Sequence, residues 1–255
     1  MPGNLDNLRV VLVATRNPLN IGAAARAMRN FGAVRLRVVN PYEASFREAR
    51  SAVGAADVLA DAGEFTSVAE AVADCHLVVG TTAGGRRELQ LPLRRLDVSS
   101  RTIRSQLKTG PVALLFGSEK RGLSNDDMSH CHWLVRIPTQ EEQGSMNLGQ
   151  AVAVCLYELA RSTQPPTVRD TGEKTGSNSV RAVLAHAEDL ERLTQLLMQT
   201  LHTSGYVKPR VAAATEQKVR RLLRRMNLAA TDADLWLGML RQIAWKLSAP
   251  ESEPR

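Results

Sequence analysis

The sequence predicts an α/β domain on a mostly parallel sheet, followed by a small all-helical C-terminal unit. Three observations predict it. Short β-branched runs alternate with helix-patterned segments through the first 160 residues. A polar stretch with two prolines and two glycines, STQPPTVRDTGEKTGSNS (162–179), then breaks the pattern. Beyond it only helical periodicity remains. The chain therefore divides into residues 1–162, a linker at 163–179 and a helical extension at 180–250.

VVLVAT (10–15) reads as the first strand, ending in turn residues. NIGAAARAMRNFG (20–32) follows as a helix with Ile21, Ala24, Ala25, Met28 and Phe31 on one face and Gly32 as its stop. VRLRVVN is a strand closing on Pro41, and LVVGTT (77–82), VALLFG (112–117) and WLVRIP (133–138) are further short strands. MNLGQAVAVCLYELA (146–160) is a long apolar helix. Strands separated by helices make a sheet covered on both faces, and such sheets hold ligands beyond their C-terminal strand ends. The loops after residues 15, 80, 116 and 137 are thus the places to look for a site. The tail reads as three helices, the middle one TEQKVRRLLRRMNL.

Bulk properties bound the function. Net charge is +7 with a pI near 9.8, which favours a polyanionic partner. Aromatics are only 4%, so ring stacking is not a widespread binding device. Cys75, Cys131 and Cys155 have no paired spacing, which argues against a disulfide framework and for a reducing, cytoplasmic setting. The N-terminal segment lacks a basic region followed by an apolar run, so no signal peptide is expected, and no run approaches the length of a membrane span.

Four loops carry candidate chemistry. In the first, Asn20, Gly22 and Ala23 to Ala25 open a helix and leave backbone N–H groups accessible, with Arg26 able to reach over that end. The alternative is an ordinary capped packing helix. In the second, Thr81 and Thr82 with Gly80, Gly84 and Gly85 follow a strand and offer hydroxyls and amides, while Arg86 and Arg87 could hold an anion; a plain connector is the alternative. The third, FGSEKRGLS, is bracketed by Gly117 and Gly122 like a phosphate-binding loop but has Leu123 where that loop needs lysine. Glu119 there favours a cationic or hydroxyl-rich ligand, or else simply pairs with Lys120. In the fourth, Ser145 and Asn147 precede the apolar helix; a serine N-cap accounts for Ser145 and leaves Asn147 unexplained.

Other patterns read as structure. DCH (74–76) and HCH (130–132) place neighbouring residues on opposite faces of a strand, which is poor chelating geometry, so no metal is expected. Trp236 and Trp245 read as core residues of the last helix. Arg220, Arg221, Arg224 and Arg225 recur on one helix with Val219, Leu222, Leu223 and Met226 opposite. Two readings stand: a solvated face, or a face that meets RNA phosphates.

Taken in order and spacing, NPLNIGAAARAMRNFG, LLFGSEKRGLSNDDMSHCHWLVRIP and GSMNLGQAVAVCLYEL resemble the three signature motifs of the SpoU branch of the SPOUT RNA methyltransferases. VVGTTA and the KVRRLLRRM helix behind a polar linker look like the branch that methylates the ribose of nucleotide 32 in the tRNA anticodon loop, on cytidine or uridine. The resemblance implies a SPOUT-type trefoil knot in the sheet domain, which base rates for chain topology would not propose. It implies a homodimer, tRNA as substrate and S-adenosyl-L-methionine as methyl donor. By position it assigns donor binding to Thr81, Thr82, Ala83, Gly117, Ile137, Gly144, Ser145 and Met146. It assigns the reacting hydroxyl to Arg26, supported by Asn20, Glu119, Ser145 and Asn147, and tRNA backbone contact to Arg220, Arg221, Arg224 and Arg225.

Overall fold

A computed structural model describes residues 5–42, 46, 56–84, 88–140, 144–161 and 183–248. The linker expected at 163–179 and the Gly85–Arg86–Arg87 segment lie outside the described residues. Seven strands are described: β1 (Leu8–Val13), β2 (Arg35–Val39), β3 (Gly63–Phe65), β4 (Leu77–Thr81), β5 (Leu93–Arg95), β6 (Val112–Phe116) and β7 (Trp133–Arg136). They form one sheet in the order β3-β2-β1-β6-β4-β7-β5, each neighbouring pair parallel. β3 and β5 have three residues each, too short to show periodicity, and sequence reasoning missed both.

The helices are α1 (Pro18–Phe31), α2 (Ala56–Ala60), α3 (Val68–Ala71), α4 (Leu96–Leu107), α5 (Asn125–Ser129), α6 (Leu148–Ala160), α7 (Ala187–Thr203), α8 (Ala212–Met226) and α9 (Ala230–Ser248). Alternate strand residues feed two cores, as a sheet covered on both faces requires. Val10, Leu12, Val79, Leu114 and Phe116 pack with Ile21 and Met28 of α1 and Val152 and Leu156 of α6. Val11, Val13, Val78, Leu115 and Leu134 pack on the other side with Val68, Leu123, Met128 and Cys131. Gly149 lets α1 and α6 approach closely, since a Cβ there would stand 2.6 Å from the Ala23 Cβ.

The C-terminal helices share their own core, with Leu190 and Leu193 of α7, Leu223 of α8 and Leu237 and Leu240 of α9. This unit is attached to the sheet domain. Ala187 N–H donates to the Cys75 carbonyl at 2.8 Å and Glu188 N–H to that of Ala73 at 3.1 Å, while Ala187 joins the second core of the sheet.

The basic helix α8 departs from the sequence expectation. Arg220 and Arg224 are 5% and 0% exposed, so they cannot form an outward phosphate-contacting row. Arg220 donates to Glu191 at 2.9 Å from both Nε and Nη2, and pairs with Glu216. Arg224 donates to the Ala187 carbonyl at 3.1 Å, and burial lowers its pKa to about 10. Of the carboxylates that draw Arg220 inward, Glu216 lies one turn back on α8, while Glu191 sits on α7, where the helical period of α8 cannot reveal it. Leu222 and Met226, expected on the packed face, are exposed instead, as are Trp236 in part and Trp245 largely.

Candidate active site

β1, β6, β4 and β7 are neighbours at the centre of the sheet, and being parallel they deliver their following loops to one edge. These are the four loops singled out in the sequence. They surround a cavity of about 500 Å³, within the range of small-molecule sites. Thr81, Thr82, Ala83, Gly117, Ile137, Gly144, Ser145 and Met146 all line it, together with Asn20, Glu119 and Asn147.

Each loop is shaped by local chemistry. After β1, Ala14 takes φ +51°, a conformation rare outside glycine, and its N–H donates to the Val39 carbonyl at 2.9 Å. Asn17 then caps α1, its side chain accepting from Leu19 N–H at 3.0 Å, with Pro18 in the first turn. After β4, Thr81 Oγ1 donates to the Leu115 carbonyl at 2.8 Å and Gly84 N–H donates to Thr82 Oγ1 at 3.2 Å. The Thr82 hydroxyl is thereby spent partly on its own turn.

The loop after β6 folds back on itself. Ser118 and Gly122 form an antiparallel bridge, with Gly122 N–H to the Ser118 carbonyl at 2.8 Å. A Cβ on Gly117 would lie 2.0 Å from the Gly122 carbonyl carbon, so position 117 admits only glycine in this fold. Gly122 sits at φ +65°. Ser124 and Asp127 close the loop with a capping box at the start of α5.

A chain of hydrogen bonds ties three loops together. Asn147 caps α6, its Oδ1 accepting from Gly149 N–H at 2.9 Å. Its Nδ2 donates to Asn20 Oδ1 at 2.8 Å, and Asn20 Nδ2 donates to Glu119 Oε1 at 3.0 Å. Glu119 also accepts from Asn17 N–H at 3.2 Å. Burial raises the Glu119 pKa, but the bonds from Asn20 and from backbone amides outweigh it and hold the carboxyl below its ordinary range. The cap expected of Ser145 thus belongs to Asn147, and Ser145 is left facing the cavity. Asn17, missed in the sequence reading, was marked by the Asn-Pro pair before the helix.

Arg26 is not part of the cavity wall; it stands on the exposed side of α1. Arg220, Arg221, Arg224 and Arg225 lie away from the cavity as well. Burial pushes the thiols of Cys131 and Cys155 up to about 12, which leaves them unreactive. Among the described residues no group of three His, Cys, Asp or Glu side chains could hold a metal ion, and no helix is long and apolar enough to cross a membrane.

The cavity wall mixes apolar side chains with charged ones. Phe116, Ile137, Leu148 and Ala151 are its apolar part, the ionised Glu119 supplies negative charge, and Lys120 and Arg121 bring positive charge to the same loop. Its loops offer backbone groups, with no P-loop lysine for phosphate.

The chain is similar to known proteins. Residues 7–157 match the model of the SpoU rRNA Methylase family. A protein of Sodalis glossinidius named tRNA (cytidine/uridine-2′-O-)-methyltransferase TrmJ is 36% identical over 242 residues, covering 94% of this chain and 92% of its own length. One of the same name from Pectobacterium atrosepticum is 36% identical, covering 94% of this chain and 97% of its own. The crystal structure of TrmJ from Z. mobilis ZM4 superposes with a TM-score of 0.76 at 31% identity, covering 92% of this chain and 98% of that one. Four loops gathered at one sheet edge, the Asn147–Asn20–Glu119 chain across them and these matches lead to one conclusion: the chain belongs to the SpoU methylase family.

Proposed function

We propose that this protein transfers a methyl group from S-adenosyl-L-methionine to a ribose 2′-hydroxyl of tRNA, at nucleotide 32 of the anticodon loop. The observation that carries the reading is the convergence of Thr81–Ala83, Gly117, Ile137 and Gly144–Met146 on one cavity beside Glu119 and Asn147. The family description names rRNA, but the relatives named for tRNA match across the helical extension too, which favours tRNA.

S-adenosyl-L-methionine supplies, when bound, an electrophilic methyl on a positively charged sulfur. The backbone of the three later loops would hold it, and the apolar wall excludes water from the methyl. With the donor held there, the ribose oxygen would take the methyl carbon as its bond to sulfur breaks, the bonding electrons staying on sulfur and the hydroxyl proton passing to solvent. Catalysis is then mainly positioning plus loss of that proton. Ser145, free of capping duty, is assigned to the ribose, and Asn20 and Asn147 keep the loops in register. Arg26 is assigned to the adjacent phosphate and to the developing alkoxide; guanidinium groups stay charged in proteins, so its part is electrostatic.

Homodimerisation belongs to this reading, because Arg26 lies outside its own cavity wall and a second protomer offers a route to a site. So does the trefoil knot: α6 returns from the 144–147 turn to pack on α1, and that turn shares the cavity with the 117–122 loop. A reducing, cytoplasmic setting is consistent with three free buried cysteines. Contact with the tRNA backbone is reassigned to the exposed Lys208, Arg210, Lys218 and Arg225, with Arg221 beside them. Mapping ribose methylation in bulk tRNA after incubation with protein and donor tests the reading. A single new 2′-O-methyl at nucleotide 32 is the expected result. Methylation confined to rRNA, or none on any RNA, would overturn it.

A further inference from the structure

Arg220 was expected to touch RNA, yet its side chain is 6% exposed and spans two parts of the molecule. On one side it is fixed to the helical extension, through Glu191 of α7 and Glu216 of α8. On the other it reaches the sheet domain at α5: Nη1 donates to Ser129 Oγ at 3.2 Å and lies 3.7 Å from Asp126 Oδ1. Gln217, one turn away on α8, donates to the same Asp126 oxygen at 3.4 Å. Ser129 Oγ in turn donates to the Asp126 carbonyl at 2.7 Å, so the grip falls on both ends of the short helix.

The helix α5 contributes to the wall of the proposed donor site through Met128. Its cap, Ser124, ends the loop that begins at Gly117, and its Met128 lines the cavity alongside Leu123. A five-residue helix is too short to be stable alone and takes its position from what it packs on. Arg221 borders a small cleft together with Asn125 and Met128 of α5 and with Gln90 and Leu91. The extension is therefore bolted to the part of the sheet domain that shapes the 117–124 loop.

We propose that Arg220 is a positioning residue for methyl transfer, through which the helical extension holds α5 and so the donor-binding loop. This rests on the reading that the cavity takes S-adenosyl-L-methionine. It gives the extension a role in donor binding that is separate from any contact with tRNA.

The test uses the full-length protein with Arg220→Gln and, because that change strands Glu191, the milder Ser129→Ala, which removes the Ser129 contact to α5 and leaves the approach of Arg220 to Asp126. Two measurements are made: hydrogen exchange of amides 117–129 in the ligand-free protein, and affinity for S-adenosylhomocysteine by calorimetry. Exchange is expected to quicken in both variants. The dissociation constant is expected to rise about fivefold in Arg220→Gln, the low end of usual coupling between sites, and less in Ser129→Ala. Arg220→Lys, which keeps the charge but not the fork, is expected to fall between wild type and Arg220→Gln. The KM for tRNA at saturating donor is expected to stay near wild type in Ser129→Ala. Unchanged exchange at 117–129 in the folded variants would overturn the proposal. So would quickened exchange with unaltered donor affinity, or an effect confined to tRNA KM. Failure of the wild-type protein to bind S-adenosylhomocysteine would instead defeat the donor-site reading, while the exchange measurement would still report whether Arg220 holds α5.

Discussion

Asn20 Nδ2 stands 3.0 Å from Glu119 Oε1 and joins the loop after β1 to the loop after β6. Glu119→Gln removes the charge that binds Asn20 and the amides of Arg16 and Asn17. Hydrogen bonds to charged groups carry about 1.5–3 kcal/mol, so kcat/KM is expected to fall by about tenfold or more. The sign with pH follows from the depressed carboxyl pKa. The contribution is present above the unfolded-state value and is lost as pH falls through the folded-state value. Urea midpoints of wild type and variant should therefore differ at neutral pH and converge in acid.

Gly117→Ala places a methyl where the 122–123 peptide already lies. The loop must open to admit it, at a cost of about 1–3 kcal/mol or more. Affinity for S-adenosylhomocysteine, read by calorimetry, is expected to drop at least about tenfold, in step with that strain.

Gly149→Ala tests the seat of α6 on α1, because its Cβ would meet Ala23 Cβ at 2.6 Å. A loss of about 1–3 kcal/mol in denaturant unfolding is expected. Activity should fall with it, since the Asn147–Asn20 bond spans the same junction. A variant as stable and as active as wild type would contradict this account of the junction.

Arg26 lies outside the cavity wall, so donor binding and turnover should part company there. Arg26→Ala is expected to leave S-adenosylhomocysteine affinity near wild type and to cost about a hundredfold or more in kcat, as loss of one alkoxide-stabilising donor does. Near-normal turnover in Arg26→Lys would rule out a need for the guanidinium fork.

Buried neutral histidines should make the fold acid-sensitive. Burial, aided by the nearby Arg220 and Arg224, lowers His130 to about 4, and burial with Arg224 lowers His132 to about 3. The unfolded chain binds these protons near pH 6.5, so stability is fully present above that value and is lost as pH falls toward 4 and then 3. The denaturation midpoint is expected to decline through this window, and less steeply in a His130→Gln variant that folds.

The strands and loops of the site were legible because they rest on local chemistry. Val- and Leu-rich runs ending at Gly117, or at Thr81 and Thr82, announce buried parallel strands and their C-terminal turns. Apart from the two three-residue strands and the Asn17 cap, what failed depends on a distant partner. Asn147, not Ser145, caps α6 because Asn20 of another helix fixes its side-chain amide. Arg220 turns inward because Glu191 and Ser129, remote in sequence, are waiting for it. A helical wheel separates charged from apolar positions, but it does not say which charges a neighbouring helix will bury. The same blindness put Trp245 inside, when it is 65% exposed.

The placement of β6 bears on how the chain is made. β1 has as one neighbour β2, close in sequence, but its other neighbour is β6, in register from Leu8 opposite Val112 to Leu12 opposite Phe116. β4 also waits for β6. Until that strand leaves the ribosome, two apolar strands at the heart of the molecule present bare edges, and the middle of the sheet cannot close. Nascent chains halted before residue 112 should be protease-sensitive and held by chaperones, with protection arriving abruptly once β6 inserts.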